Sequence, residues 1–279
     1  MKIDDKFLKL YRPILINDHY QNYKRYGIHK AQLIIADIPY NVGKNAYGSN
    51  PSWYVGGDNK NGESNLANTD FFDTDKNFKP AEFMHFCSKM MRKEPKQKGQ
   101  APAMLVFCAF DQQMYLIELA KRYGLNKYIN LVFRKNFSAQ VLKANMRIVG
   151  NAEYGLVLYR DKLPKFNNNG KMIFNVMDWE TDDKNTLYEK IHPTQKPVKL
   201  LEKLIKIFTN EGEVVIDPVA GSGSTLIASN RLGRKSYGFE IKKEYHKKAK
   251  DWIDKNHDIL KEISENGYTT KLDQNLVLF

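Results

Sequence analysis

The sequence predicts an α/β fold: a mostly parallel sheet with helices on both faces. Three observations carry that prediction. Short apolar runs such as Leu33–Ala36, Ala103–Phe110 and Val214–Ile216 are bounded by turn residues, as buried strands are. Stretches with helical spacing separate them. Polar residues able to do chemistry stand just after the strands, at the edge where open α/β sheets bind ligands.

Taken in order, Leu33-Ile34-Ile35-Ala36 reads as a buried strand closed by Asp37-Ile38-Pro39-Tyr40. Asp37 and a backbone carbonyl can accept two N–H bonds, and Tyr40 can stack on a ring, so the corner suits a planar, amino-bearing substrate. Residues 41–79 are rich in Asn, Gly, Asp and Ser and read as a long loop, with Tyr47, Trp53 and Tyr54 as candidates to close over a ligand. Pro80 opens a helix over 80–93 with Phe83, Phe86, Cys87, Met90 and Met91 in register. Ala103–Phe110 is the second strand, and Asp111 caps a helix ended by Gly124. Tyr128–Phe133 and Tyr154–Tyr159 read as two further strands, and 161–190 as a polar insertion. Pro197 opens a helix with Leu200, Leu201, Leu204, Ile205 and Phe208 on one face. The strand Val214–Ile216, the helix Ser224–Leu232, a strand closing at Tyr237–Glu240 and a lysine-rich helix over about 243–256 complete the pattern.

Asp217-Pro218-Val219-Ala220-Gly221-Ser222-Gly223-Ser224-Thr225 joins a strand to a helix. Its two glycines permit a tight turn and close approach of backbone to a ligand. Glu240 ends the following strand, where an acidic side chain can bond both hydroxyls of a ribose. The spacing is neither that of the dinucleotide fingerprint nor that of a phosphate-binding loop with a following Gly-Lys.

These motifs resemble those of the amino-group DNA methyltransferases that use S-adenosylmethionine. Asp37–Tyr40 resembles their (D/N/S)PP(Y/F) motif, and Asp217–Thr225 their glycine-rich cofactor motif, DPFxGSGTT in its common form. His192-Pro193-Thr194-Gln195-Lys196-Pro197 is nearly identical to an HPTQKP segment that precedes the cofactor motif in one subgroup. The order is that of the β group, and the likeness covers roughly residues 14–256. Ile38 departs from the motif's first proline but keeps the backbone carbonyl, and Val219 stands where phenylalanine is usual.

The resemblance implies a Rossmann-like methyltransferase fold, a seven-stranded sheet with one antiparallel strand. It implies one catalytic domain over 1–279, with the catalytic motif in 31–135, a short target-recognition or insert region in 136–190, the cofactor half in 191–256 and an extension after that. Asp37, Ile38, Pro39 and Tyr40 are the implied catalytic set. Asp217, Pro218, Ala220, Gly221, Ser222, Gly223, Ser224, Thr225 and Glu240, with His192, Thr194 and Lys196, are the implied contacts of S-adenosylmethionine. Glu153 falls where the family often carries a glutamate, with a structural role favoured. Aspartate at the head of the first motif implies adenine N6 as the methylated amine, in flipped-out duplex DNA. Cytosine N4, a catalytically inactive DNA-binding relative and methylation of RNA or protein glutamine are the alternatives. Cytosine C5 is excluded because neither Cys87 nor Cys108 follows a proline.

Net charge is +12, and residues 89–165 carry 15 basic against 5 acidic side chains. Such an excess is the footprint of a polyanion. Arg134, Lys135, Lys143 and Arg147, together with Lys121, Arg122 and Lys127, are the expected contacts to double-stranded DNA, whereas Lys89, Arg92 and Lys93 read as a solvated helix face. The histidines show no paired spacing, so no metal is expected. No apolar run is long enough for a membrane span, and the two cysteines read as reduced core thiols of a cytoplasmic protein. A homodimer stays open.

Overall fold

The computed structural model describes residues 10–40, 78–136, 140–143, 148–182, 191 and 195–266. The strands are β1 (Ile14–Ile16), β2 (Leu33–Asp37), β3 (Ala103–Cys108), β4 (Lys127–Arg134), β5 (Gln140–Lys143), β6 (Ile148–Gly150), β7 (Ala152–Tyr159), β8 (Val176–Asp178), β9 (Val214–Asp217) and β10 (Lys235–Phe239). The α-helices are α1 (Pro80–Met90), α2 (Gln112–Arg122), α3 (Val198–Phe208), α4 (Ser224–Arg231) and α5 (Lys243–Asn266), and Tyr20–Arg25 forms a short 3-10 helix.

Eight strands form one sheet in the order β1-β10-β9-β2-β3-β7-β4-β8, and β5 pairs with β6 apart from it. Only β7 runs against the others in that sheet, pairing antiparallel with both β3 and β4. The single antiparallel strand matches the expectation, but the sheet has eight described strands rather than seven. The edge strands β1 and β8 escape a reading by hydrophobic runs because each has three residues and at least one exposed position. β8 lies inside the segment read as an insertion.

Successive residues of each strand feed opposite faces. Ile34 and Ala36 pack with Met104 and Val106 under α1 and α2, while Leu33 and Ile35 pack with Leu105 and Phe107 under α3, α4 and α5. α3 buries Leu200, Leu201, Leu204, Ile205 and Phe208, each side chain worth about 1.5–3 kcal/mol. α5 outruns its expected end because Ala249, Trp252, Ile253, Leu260 and Ile263 continue a buried stripe beneath the lysines.

Strand β2 has β3 on one side and β9 on the other. From β2 the chain steps outward to β3, and from β9 it steps outward the opposite way to β10. The carboxyl ends of β2 and β9 therefore flank a topological switch point, where this class of sheet opens a crevice. Asp37 ends β2 and Asp217 ends β9.

Candidate active site

On the β2 side the tetrapeptide is anchored from beneath. Ile38 is buried, and its N–H donates to the Phe107 carbonyl at 3.3 Å. Gln112 donates to the Pro39 carbonyl and accepts from the Ala109 N–H, both at 3.0 Å, tying the corner to the start of α2.

A chain of charged groups meets there. Lys196 Nζ donates to Asp37 Oδ2 at 2.5 Å, to Glu153 Oε2 at 3.2 Å and to the Tyr40 hydroxyl at 3.5 Å. Lys135 Nζ donates to the other oxygen of Glu153 and lies 4.5 Å from the centre of the Trp179 ring. Tyr40 donates to Glu153 Oε2 at 3.4 Å. Asp37 Oδ1 is buried and has no hydrogen-bond partner among the described residues. A buried oxygen of that kind is an acceptor open to a ligand.

The titration directions follow from burial and pairing. Burial pushes the Asp37 carboxyl up and Lys196 pulls it partly back, leaving it above the ordinary aspartate value. Burial also opposes the charge on Lys196, but Asp37 and Glu153 outweigh it and raise the ammonium. Glu153 is lowered, because its two lysines overcome its burial. Burial pushes the Cys108 thiol up to about 12, so it carries no thiolate at neutral pH.

The β9 side is built from backbone. Gly221 and Gly223 adopt left-handed conformations, φ 49° and 79°. The two have different jobs. A Cβ on Gly221 would meet nothing closer than 4.0 Å, so the backbone there is open to a ligand, whereas a Cβ on Gly223 would lie 2.6 Å from Ile253 of α5. Glu240 accepts from the Gly221 N–H at 3.1 Å and from the Lys242 N–H at 2.8 Å, fixing the loop to the end of β10. Ser222 and Ser224 share a 2.8 Å hydroxyl contact, and Pro218, Ala220 and Thr225 are buried beneath the loop. Asp217 accepts from the Val219 N–H at 3.0 Å and is pushed up to about 7 by burial.

The structure thus brings Asp37, Ile38, Pro39 and Tyr40 to one corner and Asp217–Thr225 with Glu240 to the facing one. It moves two residues from where the motifs had put them. Lys196, expected on the cofactor, directs its three N–H donors to the Asp37–Tyr40 corner. Lys135, expected on DNA, is 9% exposed and engaged with Glu153. Glu153, favoured as structural, stands between those two lysines. Gln112 and Asp182 carried no signal in the sequence: Asp182 accepts from the Val198 and Lys199 N–H groups at 2.9 and 3.0 Å, and so seats the turn that delivers Lys196. His192, Thr194, Arg147, the Lys143 side chain and the loop aromatics Tyr47, Trp53 and Tyr54 lie outside the described residues.

The basic stretch divides between two edges of the sheet. Exposed Arg134 lies at the carboxyl end of β4 and pairs with Asp178, 2.6 Å away. Lys121, Arg122 and Lys127 flank the amino end of β4, about 20 Å off by strand length. Arg160 Nη1 donates to the Arg92 carbonyl at 2.9 Å. Lys121, Arg122 and Lys127, expected on DNA together with Arg134 and Lys135, thus stand at the edge opposite to the Asp37 corner. Among the described residues no group of acidic, histidine and cysteine side chains is placed to hold a metal, and no helix is long and apolar enough to cross a membrane.

A family profile described as DNA methylase matches residues 31–251. Type II methyltransferase M2.LlaDCHI of Lactococcus lactis subsp. cremoris is 39% identical over 97 residues, 35% of this chain and 36% of that protein. DNA adenine methyltransferase YhdJ of Escherichia coli K12 is 27% identical over 256 residues, covering 85% of this chain and 80% of the relative. The chain spans about a third to a half of the length of the first curated relatives it matches. The solved structure of the PvuII DNA methyltransferase, cytosine-N4-specific, superposes with TM-score 0.63 at 15% identity, over 95% of this chain and 96% of that one, which speaks to the fold.

Proposed function

The chain belongs to the DNA methylase family of N6 and N4 amino methyltransferases, and from that premise we propose that it methylates the exocyclic amine of a base in duplex DNA, adenine N6 in particular, using S-adenosylmethionine. One observation carries the reading: at the switch-point crevice Asp37 keeps one buried oxygen, Oδ1, without a partner among the described residues. An amine N–H is the donor such an oxygen lacks.

The residues opposite fit a nucleoside cofactor. The loop is open at Gly221 and closed at Gly223, and the Glu240 carboxylate can accept ribose hydroxyls beside the backbone N–H groups it already holds. Asp217–Thr225 and Glu240 would hold the cofactor, which supplies an electrophilic methyl group. An exocyclic amine shares its lone pair with the ring and is a poor nucleophile. Bonds from its N–H groups to Asp37 Oδ1 and to the Ile38 carbonyl favour a pyramidal nitrogen with that pair localised. Tyr40 stacks on the base. No thiolate is needed, in keeping with the buried Cys108. The protein's contribution is positioning and fixed charge, and a base reaches the corner only by leaving the duplex stack. Adenine is favoured by the aspartate at the motif's head and by the length over which YhdJ aligns.

Incubation with labelled S-adenosylmethionine and unmethylated duplex DNA, followed by nucleoside analysis, tests the reading. The expected product is N6-methyladenine, with Asp37→Ala lowering kcat about 10³-fold, some 4 kcal/mol of barrier. Label in N4-methylcytosine would move the assignment to cytosine. No label in DNA, or unchanged label in Asp37→Ala, would overturn it.

A further inference from the structure

We propose that Lys196 is the positioning residue of the catalytic corner: by occupying one oxygen of Asp37 it dedicates the other to the incoming amine and keeps the carboxylate ionised in a buried site. The inference rests on the methyl-transfer reading and adds a residue that the HPTQKP resemblance had placed on the cofactor side.

The geometry leaves Lys196 no other task. Its side chain is 8% exposed, and its three N–H donors are matched by Asp37 Oδ2, Glu153 Oε2 and the Tyr40 hydroxyl at 2.5, 3.2 and 3.5 Å. The Phe107 and Tyr40 rings lie 5.2 and 5.6 Å from the ammonium and enclose it. No donor remains for a cofactor carboxylate. An ammonium bound to Oδ2 also selects one orientation of the Asp37 carboxylate, the one that turns Oδ1 inward. Glu153 in turn steadies Lys196 and is itself held by Lys135.

The charges around Asp37 give the arrangement its direction. From its own element it faces Tyr40; from β3, Cys108; from β7, Glu153; from β9, Asp217; and from the turn before α3, Lys196. Among the described residues Lys196 is the one cation of that set. Without it the described groups facing Asp37 would be Glu153 and neutral or acidic ones, and the carboxyl would hold its proton to higher pH. A protonated Asp37 is a weaker acceptor for the amine.

The test uses Lys196→Met and Lys196→Arg in the full chain, with kcat followed against pH on duplex DNA. The acid limb of kcat should move up by about 1–3 pH units in Lys196→Met, with kcat at pH 7 down at least tenfold and the dissociation constant of S-adenosylmethionine within threefold of wild type. Lys196→Arg should restore the position of the limb even where kcat stays low. In the ligand-free protein, carbon-13 NMR titration of the Asp37 carboxyl should show the same upward displacement in Lys196→Met, with melting curves confirming that each variant is folded. A limb and a carboxyl titration that do not move, or a cofactor dissociation constant raised tenfold with the pH profile unchanged, would overturn the proposal. Failure of wild type to methylate DNA would instead sink the methyl-transfer reading, and the NMR titration would still decide whether Lys196 governs Asp37.

Discussion

The two walls of the crevice reach the same end by opposite means. The β2 wall is held by charged side chains drawn from distant segments: Asp37, Lys196, Glu153 and Lys135 alternate in sign and bury one another. The β9 wall is held by backbone, with two left-handed glycines, a carboxylate clamp on two N–H groups and a loop pressed against α5. On the proposed reading, the difference follows from what each wall must present. A substrate amine is met by an oxygen of fixed orientation and charge, which neighbouring charges supply. A nucleoside is met by a close, open backbone, which only small residues allow. The β2 wall should therefore be sensitive to charge and pH with modest steric demands, and the β9 wall to volume.

The largest effect expected from that contrast is at Gly223. A side chain there meets Ile253 of α5 and occupies a left-handed backbone position. Gly223→Val should cost about 3 kcal/mol or more by strain and overpacking together, read as a lower denaturation midpoint in urea with an unchanged slope. Gly221→Ala, with open space around its Cβ, should cost about 1–2 kcal/mol through backbone strain alone. Equal losses at the two positions would break the distinction between a packing glycine and a ligand-facing one.

Asp217 is the buried carboxyl of the β9 wall, and it sharpens the contrast through pH. It is buried, and its pKa is about 7 against an ordinary 3.8. Because the folded value is raised, the folded chain keeps a proton that the unfolded chain releases between about pH 4 and 7. Stability therefore falls as pH rises through that window and levels off above it. Asp217→Asn removes the titration. Relative to wild type it should gain a few kcal/mol between pH 4.5 and 8, measured by urea unfolding at several pH values. A parallel pair of stability curves would show that Asp217 ionises as freely in the folded chain as in the unfolded one.

The same contrast explains what the sequence made legible. Both catalytic and cofactor motifs are contiguous runs at strand ends, so each could be read as a unit, and the parallel sheet followed from the alternation of strands and helices. The charge chain was not legible, because its members come together only through the sheet: Lys196 and Asp37 are 159 residues apart. Glu153 is brought to the corner by the antiparallel register that sets it opposite Phe133. The layout of the basic surface was not legible for a related reason. Each strand ends at the edge opposite to where it begins, so a charge excess counted along 89–165 mixes two edges of the molecule. β1 and β8 were too short and too exposed to leave a hydrophobic signature.

The smallest expected effect lies at Gln112, the neutral member of the β2 wall. Its amide bridges the Ala109 N–H and the Pro39 carbonyl at 3.0 Å each. Gln112→Ala loses both bonds, but the site is only half-buried, so water can replace them and the stability loss should be about 1 kcal/mol. Because the bridge carries no charge, the acid limb of kcat should stay where it is in wild type, while kcat falls several-fold as Pro39 and Ile38 loosen. That pattern, a lower rate at an unshifted pH, is the opposite of the one expected at Lys196. If Gln112→Ala displaced the acid limb as far as Lys196→Met does, the β2 wall would be responding to general loosening, and its dependence on paired charge would have to be given up.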